Sequence, residues 1–207
     1  PLPHGRKSIG NKWVFKIKRD GKDQVERYRA RLVVKGFAQK EGIDFNEIFS
    51  PVVRLTTVRL VLAMCATYSL HLEQLDVKTA FLHGDLDEEI YMLQPEGFSE
   101  EGKENLVCRL NKSLYGLKQA SRCWYKRFDS YIMSLGCDRL HSDPCACFKG
   151  LDGNDFIILL LYVDDMLVAG PNKDQIQETK TQLAREFDMK DLGPANKILE
   201  MQIYRDK

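Results

Sequence analysis

The sequence predicts an α+β fold with a mostly antiparallel sheet. Residues 11–35 alternate apolar and polar side chains around a Gly-containing turn, as a β-hairpin does. Residues 120–135 carry apolar side chains at helical spacing. Residues 156–169 form two short apolar strands around a tight turn. With 207 residues, the chain is long enough for one domain or for a domain with two lobes.

The composition is that of an ordinary globular protein, with 43% hydrophobic and 29% charged residues. The longest apolar run, residues 156–163, is too short to span a bilayer, so no membrane partner is expected. The six cysteines lack the dense pattern of a secreted disulfide scaffold, which indicates a reducing compartment. The chain starts with Pro1 and shows no signal peptide, so we expect a piece of a longer chain or a processed product.

Charge is segregated along the chain, although the net charge is only +1. Residues 1–40 hold twelve Lys or Arg and three Asp or Glu, whereas residues 71–104 hold two Lys or Arg and ten Asp or Glu. Residues 108–127 hold six Lys or Arg and no acid. Two basic regions around an acidic centre suit a polyanion held near metal ions. Solvated faces that happen to cluster are an equal alternative.

The first predicted element is a basic hairpin, with strands over 11–19 and 27–35 and a turn at Asp20-Gly21. Successive side chains of a strand point to opposite faces. One face of the second strand therefore carries four cations: Arg27, Arg29, Arg31 and Lys35. These charges repel one another unless an anion covers them, which makes this face a candidate phosphate contact. A solvated strand face is the alternative.

The remaining elements follow in chain order. Residues 57–70 are apolar enough for a buried helix, and residues 71–81 indicate a strand that runs into a turn. The apolar stripe of the helix over 120–135 is expected in the core. Asn172 with Gln175 fits a capping box at the start of the last helix.

The segment FIILLLYVDDMLVAG, residues 156–170, places the adjacent carboxylates Asp164 and Asp165 in an apolar stretch. Burial of unpaired carboxylates is unfavourable, so the pair is expected at a hairpin tip with Val163-Asp164 as the turn. A β-branched residue at such a turn implies backbone strain, which tends to collect at functional sites. Oxygen ligands without a neighbouring cationic residue favour Mg²⁺. An acidic turn without a ligand is the alternative.

A third carboxylate, Asp76, stands at the end of the apolar pattern of residues 72–77. Three carboxylates can hold two metal ions about 3.5–4 Å apart and support an in-line phosphoryl transfer. A strand-end or helix-cap aspartate is the alternative for Asp76. A separate zinc site is an alternative to plain thiols for four neighbouring residues, although Cys-x-Cys with one His departs from the usual ligand spacings. These residues are Cys137, His141, Cys145 and Cys147.

Five segments together resemble the reverse transcriptase of copia-type LTR retrotransposons, of the kind abundant in plants. They stand in the family's order and cover nearly the whole chain. The segments are RYRARLVVKGFAQKEGIDF at 27–45, LDVKTAFLHGDLDEEIYM at 75–92, QPEGF at 94–98, LNKSLYGLKQA at 110–120 and YVDD at 162–165.

The resemblance implies a right-hand polymerase fold whose antiparallel palm sheet has helices packed on one face. The fingers would be residues 1–70 and 84–119, and the palm residues 71–83 and 120–207, with the thumb, connection and RNase H regions absent. The implied activity is RNA-directed DNA polymerisation from deoxynucleoside triphosphates on an RNA/DNA template-primer. The chain would belong to a Pol polyprotein with integrase and RNase H. The implied location is intracellular, in a cytoplasmic virus-like particle of the parent element with access to the nucleus.

The resemblance also assigns roles to residues. Asp76, Asp164 and Asp165 match the catalytic carboxylates, which bind two Mg²⁺ ions, with Mn²⁺ as a substitute. Phe81 matches the aromatic position that excludes a ribose 2′-hydroxyl, although it is equally an ordinary core Phe. The residues matched to nucleotide binding are Arg29, Arg31, Lys35, Phe81, Tyr115, Gly116, Lys118 and Gln119. The residues matched to primer support are Leu199 and Glu200.

Two positions depart from the family's pattern. Ser121 replaces a usual Pro and offers a helix cap instead. Glu200 replaces a usual Gly in the primer-supporting element, where it adds bulk and negative charge. This departure motivates an alternative, a degenerate or co-opted retroelement domain that binds nucleic acid without catalysis. A metal-dependent nuclease is a weaker alternative, since it needs the aspartates but not Phe81.

Overall fold

The computed structural model of the protein describes residues 1–204, which form two compact units. Each unit is built from two separate stretches of the chain. The first unit comprises Pro1–Phe49 and Phe81–Trp124. The second comprises Ser50–Ala80 and the described residues from Tyr125 onward. No helix among these residues is long and apolar enough to cross a membrane.

The elements confirm an α+β protein with mainly antiparallel pairing. The α-helices are α1 (Leu55–Thr67), α2 (Ala120–Ser134) and α3 (Lys173–Glu186). The strands are β1 (Asn11–Arg19), β2 (Val25–Val34), β3 (His71–Val77), β4 (Tyr91–Leu93), β5 (Val107–Arg109), β6 (Asp138–Leu140), β7 (Asp143–Gly150), β8 (Phe156–Tyr162), β9 (Asp165–Gly170), β10 (Met189–Pro194), β11 (Lys197–Ile198) and β12 (Met201–Gln202).

In the first unit, β1 and β2 form the predicted hairpin, and the side chain of Asp20 accepts hydrogen bonds from two backbone amides of its turn. Residues that pair directly across an antiparallel ladder share a face. The pairs Lys16–Arg29 and Lys18–Arg27 therefore extend the predicted cationic face onto β1. The opposite face is apolar, with three pairs: Trp13–Leu32, Phe15–Ala30 and Ile17–Tyr28.

The second unit contains a six-stranded antiparallel sheet in the order β10-β3-β9-β8-β7-β6. The central strands β8 and β9 are buried along nearly their whole length, on both faces. A sheet buried on both faces needs cover on both. This burial explains why FIILLL is continuously apolar rather than alternating.

The prediction that helices pack on one face of this sheet is wrong. Helix α1 packs on the face that carries Leu72 and Ala169. Helix α3 packs on the other face, where its Lys180 contacts Glu73, the neighbour of Leu72 in the strand. Because adjacent strand residues point to opposite faces, the two helices lie on opposite sides of the sheet.

The compact units also differ from the predicted boundaries at residues 1–70. The structure groups residues 50–70 with the second unit, because α1 buries Val58, Val61 and Cys65 against the six-stranded sheet. The start of α1 is fixed in that unit by Asp143, a fully buried carboxylate. Its Oδ2 accepts hydrogen bonds from the backbone amide of Arg54 at 2.8 Å and the hydroxyl of Thr57 at 2.6 Å.

Candidate active site

The two adjacent carboxylates lie at the tip of the β8–β9 hairpin, as the sequence predicts. Tyr162 pairs with Asp165, so the turn consists of Val163 and Asp164 alone. Val163 has a φ of 57°, and Asp164 does not have a positive φ, which is the pattern of a type II′ turn. Glycine is the favoured residue at the first position of that turn. The predicted strain at Val163 is therefore confirmed.

The pairing of β3 with β9 brings Asp76 to this tip. Asp76 stands directly opposite Asp165 in the ladder, and such partners have Cβ atoms about 5 Å apart on one face. The backbone amide of Val77 donates to the carbonyl of Asp164 at 2.8 Å, which fixes the turn against the end of β3. The second unit thus assembles all three predicted carboxylates.

The site is electrostatically unfavourable for its central carboxylate. Burial, followed by the charges of Asp164 and Asp76, raises the pKa of Asp165. Gln74 opposes the shift, because its Nε2 donates to Oδ1 of Asp165 at 3.4 Å. Sequence reasoning missed Gln74, although its position two residues before Asp76 puts it on the same face of β3. A divalent cation would relieve the repulsion between these carboxylates.

A cleft of about 670 Å³ in the second unit connects this carboxylate to the predicted primer-support residues. Gln74, Tyr162 and Asp165 line it together with Leu199 and Glu200. The last two form the turn of the β11–β12 hairpin. Their φ values are 48° and 64°, the two positive values of a type I′ turn.

This geometry gives a physical reason for glycine at position 200. A left-handed backbone is unfavourable for a residue with a Cβ, and glycine avoids the penalty. The carboxylate of Glu200 points to Lys197, whose Nζ lies 2.8 Å from Oε2. The pair is exposed on the Glu200 side, where 90% of the side chain is accessible. The departure at Glu200 therefore adds a strained turn residue to the cleft.

Three of the residues matched to nucleotide binding form one stack in the first unit. The rings of Phe81 and Tyr115 lie 5.1 Å apart, and the guanidinium of Arg31 lies 5.6 Å from the centre of the Tyr115 ring. Arg31 pairs with Val14 across the hairpin, on the cationic face that also carries Arg29. A flat aromatic surface beside a guanidinium can hold a base or sugar next to phosphate.

Gly116 allows the loop with Tyr115 to pack on the end of β2. Its φ is 93°, and a Cβ there would lie 2.1 Å from the carbonyl oxygen of Val34. Gly36 is equally restricted, since its Cβ would lie 1.9 Å from the carbonyl oxygen of Gly116. The backbone amide of Val34 donates to the carbonyl of Tyr115 at 2.7 Å. These two glycines place Tyr115 beside the cationic hairpin.

The two residues after this loop have different environments. Lys118 is exposed, and its ammonium lies 4.8 Å from the centre of the Phe45 ring. Gln119 is only 2% exposed, and its amide donates to the carbonyl of Asp44 at 2.8 Å. Gln39, which sequence reasoning missed, accepts from the backbone amide of Lys118 and donates to Gln119. The Nζ of Lys118 also donates to the carbonyl of Gln39 at 3.3 Å, whereas the side chain of Gln119 serves the interior of the unit.

Lys35 is separated from the other cations of β2. It lines a cleft of about 870 Å³ together with Trp13, Phe15 and Phe98, on the apolar side of the hairpin. Phe15 is 75% exposed, and the rings of Trp13 and Phe98 lie 5.6 Å apart. Sequence reasoning treated Trp13 and Phe15 only as strand residues. The alternating pattern of β1 contained the signal, since it places Trp13 and Phe15 on one face, where Phe15 pairs across the ladder with the small Ala30.

The zinc alternative finds no support in the structure. Cys137, Cys145 and Cys147 are buried free thiols. Within residues 1–204, no group of three or more His, Cys, Asp or Glu side chains is arranged to hold a metal ion. The same finding applies to Asp76, Asp164 and Asp165, whose side chains lie near one hairpin tip but are not arranged to coordinate one ion together.

Comparison with known proteins decides the family. The family model for "Reverse transcriptase (RNA-dependent DNA polymerase)" matches residues 1–207. The chain belongs to the reverse transcriptase family. It is 60% identical, over its whole length, to the retrovirus-related Pol polyprotein from transposon TNT 1-94 of Nicotiana tabacum. It is 39% identical over 99% of its length to the Pol polyprotein from transposon RE1 of Arabidopsis thaliana.

These relatives confirm the resemblance to retrotransposon reverse transcriptases. They are far longer than the chain, which spans 16% of the tobacco protein and 14% of the Arabidopsis protein. The putative transposon Ty5-1 protein of Saccharomyces cerevisiae is 35% identical over 63% of the chain.

Proposed function

We propose that this chain is the nucleotidyl-transferring part of an RNA-directed DNA polymerase from a retrotransposon Pol polyprotein. Its substrates would be deoxynucleoside triphosphates and the 3′-hydroxyl of a primer on an RNA or DNA template. The observation that carries the proposal is the pairing of β3 with β9, which sets Asp76 opposite Asp165 at a hairpin tip. The family match over the whole chain supports it.

The donor set fits magnesium. Asp76, Asp164 and Asp165 offer carboxylate oxygens, which Mg²⁺ prefers, and Mn²⁺ accepts the same ligands. Burial, followed by the neighbouring charges of Asp164 and Asp76, raises the pKa of Asp165, and a divalent cation would offset the repulsion between the carboxylates. When bound, two such ions would supply activation of the primer hydroxyl and stabilisation of the leaving pyrophosphate.

The rest of the second unit would orient these groups. The sheet fixes the backbones of Asp76 and Asp165, and the amide of Gln74 restrains the Asp165 carboxylate. The cleft beside Asp165 would receive the primer terminus, with Leu199 and Glu200 in its wall. Holding a reacting group in a fixed orientation contributes much of the rate enhancement in phosphoryl transfer.

The first unit would bind the nucleotide. Arg29 and Arg31 on the cationic face would contact phosphates, and Lys118 would add a third positive charge. Tyr115 would lie against the sugar or base, and Phe81, packed on it, would exclude a ribose 2′-hydroxyl by its bulk. Gly116 and Gln119 would act by placing this loop rather than through their side chains.

The aromatic cleft of the first unit suits the template strand. Exposed aromatic rings beside a positive charge bind single-stranded nucleic acid by base stacking. Trp13, Phe15 and Phe98 provide the rings, and Lys35 provides a charge for a backbone phosphate. The two faces of the hairpin would thus contact different parts of the substrate.

Primer extension tests the proposal. We would compare this chain, and a longer version with the region that follows it in its Pol relatives, on an RNA template with deoxynucleotides and Mg²⁺ or Mn²⁺. Each would have an Asp164→Asn control. Extension that needs the metal and disappears in Asp164→Asn is the expected result. A folded longer version that binds template-primer but extends nothing would overturn it.

A second function is favoured by the turn at Glu200. Its strained backbone and its charge lie in the wall of the cleft that also contains Asp165, as in a degenerate element that only binds nucleic acid. This function predicts salt-sensitive RNA binding through the cationic hairpin, unchanged by Asp164→Asn. If the wild-type chain extends no primer, Glu200→Gly distinguishes two cases. A polymerase inactivated by Glu200 would regain extension, and an element that only binds nucleic acid would not.

A further inference from the structure

A buried lysine joins two strands next to the carboxylate site. Lys180 of α3 is only 6% exposed. Its Nζ lies 3.0 Å from Oε2 of Glu73 in β3 and 2.6 Å from Oδ2 of Asp191 in β10. One ammonium therefore links helix α3 to both strands. Nothing in the proposed function uses this group.

The link lies where the pairing of β10 with β3 is irregular. Asp191 pairs with Leu75, but Gly193 pairs with Gln74, so Leu192 is an extra residue in a β-bulge. Pro194 follows and has no backbone N–H to donate. β10 is the edge strand, and β3 is its neighbour in the sheet. A strand with one neighbour and an interrupted ladder is held weakly by its backbone alone.

The same two strands flank Asp76. Glu73 precedes Asp76 in β3 by three residues and points to the opposite face of the sheet. Asp191 follows Lys190, which pairs directly with Asp76. Lys180 thus approaches from the α3 side, away from the face that carries the carboxylates. It does not touch Asp76, and any effect on the reaction must pass through the two strands.

The charges of the three groups depend on one another. Burial alone would lower the pKa of Lys180, but hydrogen bonds from its ammonium to Asp191 and Glu73 raise it overall. Without the ammonium, two carboxylates would face each other beneath the helix. Buried ion pairs often add no net stability over apolar residues of the same volume. We therefore expect the ion pairs of Lys180 to position β3 and β10 rather than to increase the free energy of unfolding.

We propose that Lys180 is a positioning residue that holds β10 in register on β3 and thereby fixes Asp76 and the neighbouring Lys190 for nucleotidyl transfer. The effect on catalysis rests on the proposed polymerase function. The effect on the strands does not, and it can be measured without any activity.

Three variants of the longer Pol version separate placement from stability. Lys180→Met removes the ammonium and keeps most of the stem. The triple variant Glu73→Gln, Lys180→Met, Asp191→Asn removes all three charges, so that neither the partly buried Glu73 nor the half-exposed Asp191 keeps an unpaired charge. Lys173→Met removes an exposed lysine from the same helix and is the matched control.

Amide hydrogen exchange measures the strand directly. In Lys180→Met and in the triple variant, amides of residues 189–193 should exchange at least about tenfold faster, while those of β8 stay at wild-type rates. The triple variant should unfold at close to the wild-type temperature, and Lys173→Met should match the wild type throughout. Wild-type exchange in residues 189–193 of a folded triple variant would overturn the proposal.

Kinetics measure the consequence. Both Lys180 variants should lose about tenfold in kcat, with KM for the deoxynucleotide within about twofold of wild type. A triple variant with wild-type kcat would show that the network serves stability only. If the wild-type protein extends no primer, the polymerase function fails, and the exchange rates alone still decide whether Lys180 holds the strand.

Discussion

Two hairpins of the second unit turn on residues other than glycine in the left-handed region, and they differ in what surrounds the turn. The β8–β9 hairpin turns at Val163, between strands that are almost wholly buried. The β11–β12 hairpin turns at Leu199 and Glu200, between strands of two residues each. Of those four strand residues, Ile198 is the buried one.

The comparison shows which surroundings can hold a turn residue in an unfavourable backbone conformation. An unfavourable turn of about 1–3 kcal/mol persists only where the surrounding structure determines the conformation. Around Val163 that structure is a central hairpin, with the Asp164 carbonyl bound to the end of β3. Around Glu200 it is a short ladder and an exposed ion pair with Lys197. The strained turn at the first tip carries the two adjacent carboxylates within a stable hairpin. The strained turn at the second tip destabilises a hairpin that has only a short ladder.

The largest expected difference concerns the charges at the two tips. Asp164→Asn should reduce primer extension by at least about a hundredfold, or about 2.7 kcal/mol of transition-state stabilisation, because it removes one of the proposed metal ligands. Glu200→Gln should change it by less than about threefold, since an exposed ion pair contributes little. Both rates would be measured on one template-primer. Equal losses would show that Glu200 belongs to the catalytic machinery.

The next difference is in stability and its pH dependence. Asp165→Asn should raise the unfolding temperature in metal-free buffer at pH 7, because it removes a carboxylate whose pKa is raised in the folded state. Because this pKa is raised, the ionised carboxylate lowers the free energy of unfolding. Below the unfolded-state pKa of about 3.9, the carboxyl group is protonated in both states and does not change the free energy of unfolding. The gain should therefore disappear below about pH 4. Thermal scans from pH 3.5 to 8 measure it, and a gain that persists at low pH would contradict this cause.

A smaller effect is expected from relief of strain at the first tip. Val163→Gly removes a β-branched side chain from a positive φ and should change the free energy of unfolding by no more than about 1 kcal/mol, since glycine also loses more entropy on folding. Primer extension should nevertheless fall, because the tip becomes less rigid. Val163→Ala, which keeps a Cβ, is the control for lost side-chain volume. Wild-type extension by the glycine variant would show that rigidity at the tip is not needed.

The smallest effect is expected from the second tip. Glycine is preferred at the second position of a type I′ turn, so Glu200→Gly should stabilise the protein by about 0.5–1 kcal/mol while Leu199 keeps its packing against the core of the second unit. Denaturant unfolding measures this, with Glu200→Ala as the variant that removes the charge but keeps the strain. Extension should stay the same or rise. A destabilised Glu200→Gly variant would mean that the turn is not strained.

Much of the fold could be predicted because its patterns are local. The basic hairpin, the three helices and the β8–β9 hairpin follow from apolar spacing and turn residues. Strands β6, β7 and β10 were not predicted, because they are short or contain Pro and Gly, which usually mark turns. The cover on both faces of the sheet was also missed. The signal for it was the continuous apolar run of β8, because a strand buried on one face only alternates apolar and polar residues.

The site was predictable where chemistry and strain coincide in the sequence. Asp164 and Asp165 stand out in an apolar segment, and Asp76 ends another. That Asp76 pairs with Asp165 could not be predicted, since strand pairing between distant segments leaves no local pattern. The environments of two other predicted residues also could not be read from the sequence. The side chain of Gln119 lies in the interior of the first unit, and Lys35 lies on the apolar side of the hairpin.

The interleaving of the two units constrains how the protein is made. Pro1–Phe49 begins the first unit and Ser50–Ala80 begins the second, and the chain completes the first unit with Phe81–Trp124 before it returns to the second. On the ribosome, Asp76 emerges long before β9, so β3 and β9 pair only after the intervening segment Phe81–Trp124 has been synthesised. Contacts between such distant segments form slowly, and β3 must wait with its apolar side chains exposed. During translation, protection of this nascent strand from aggregation falls to chaperones or to transient local structure.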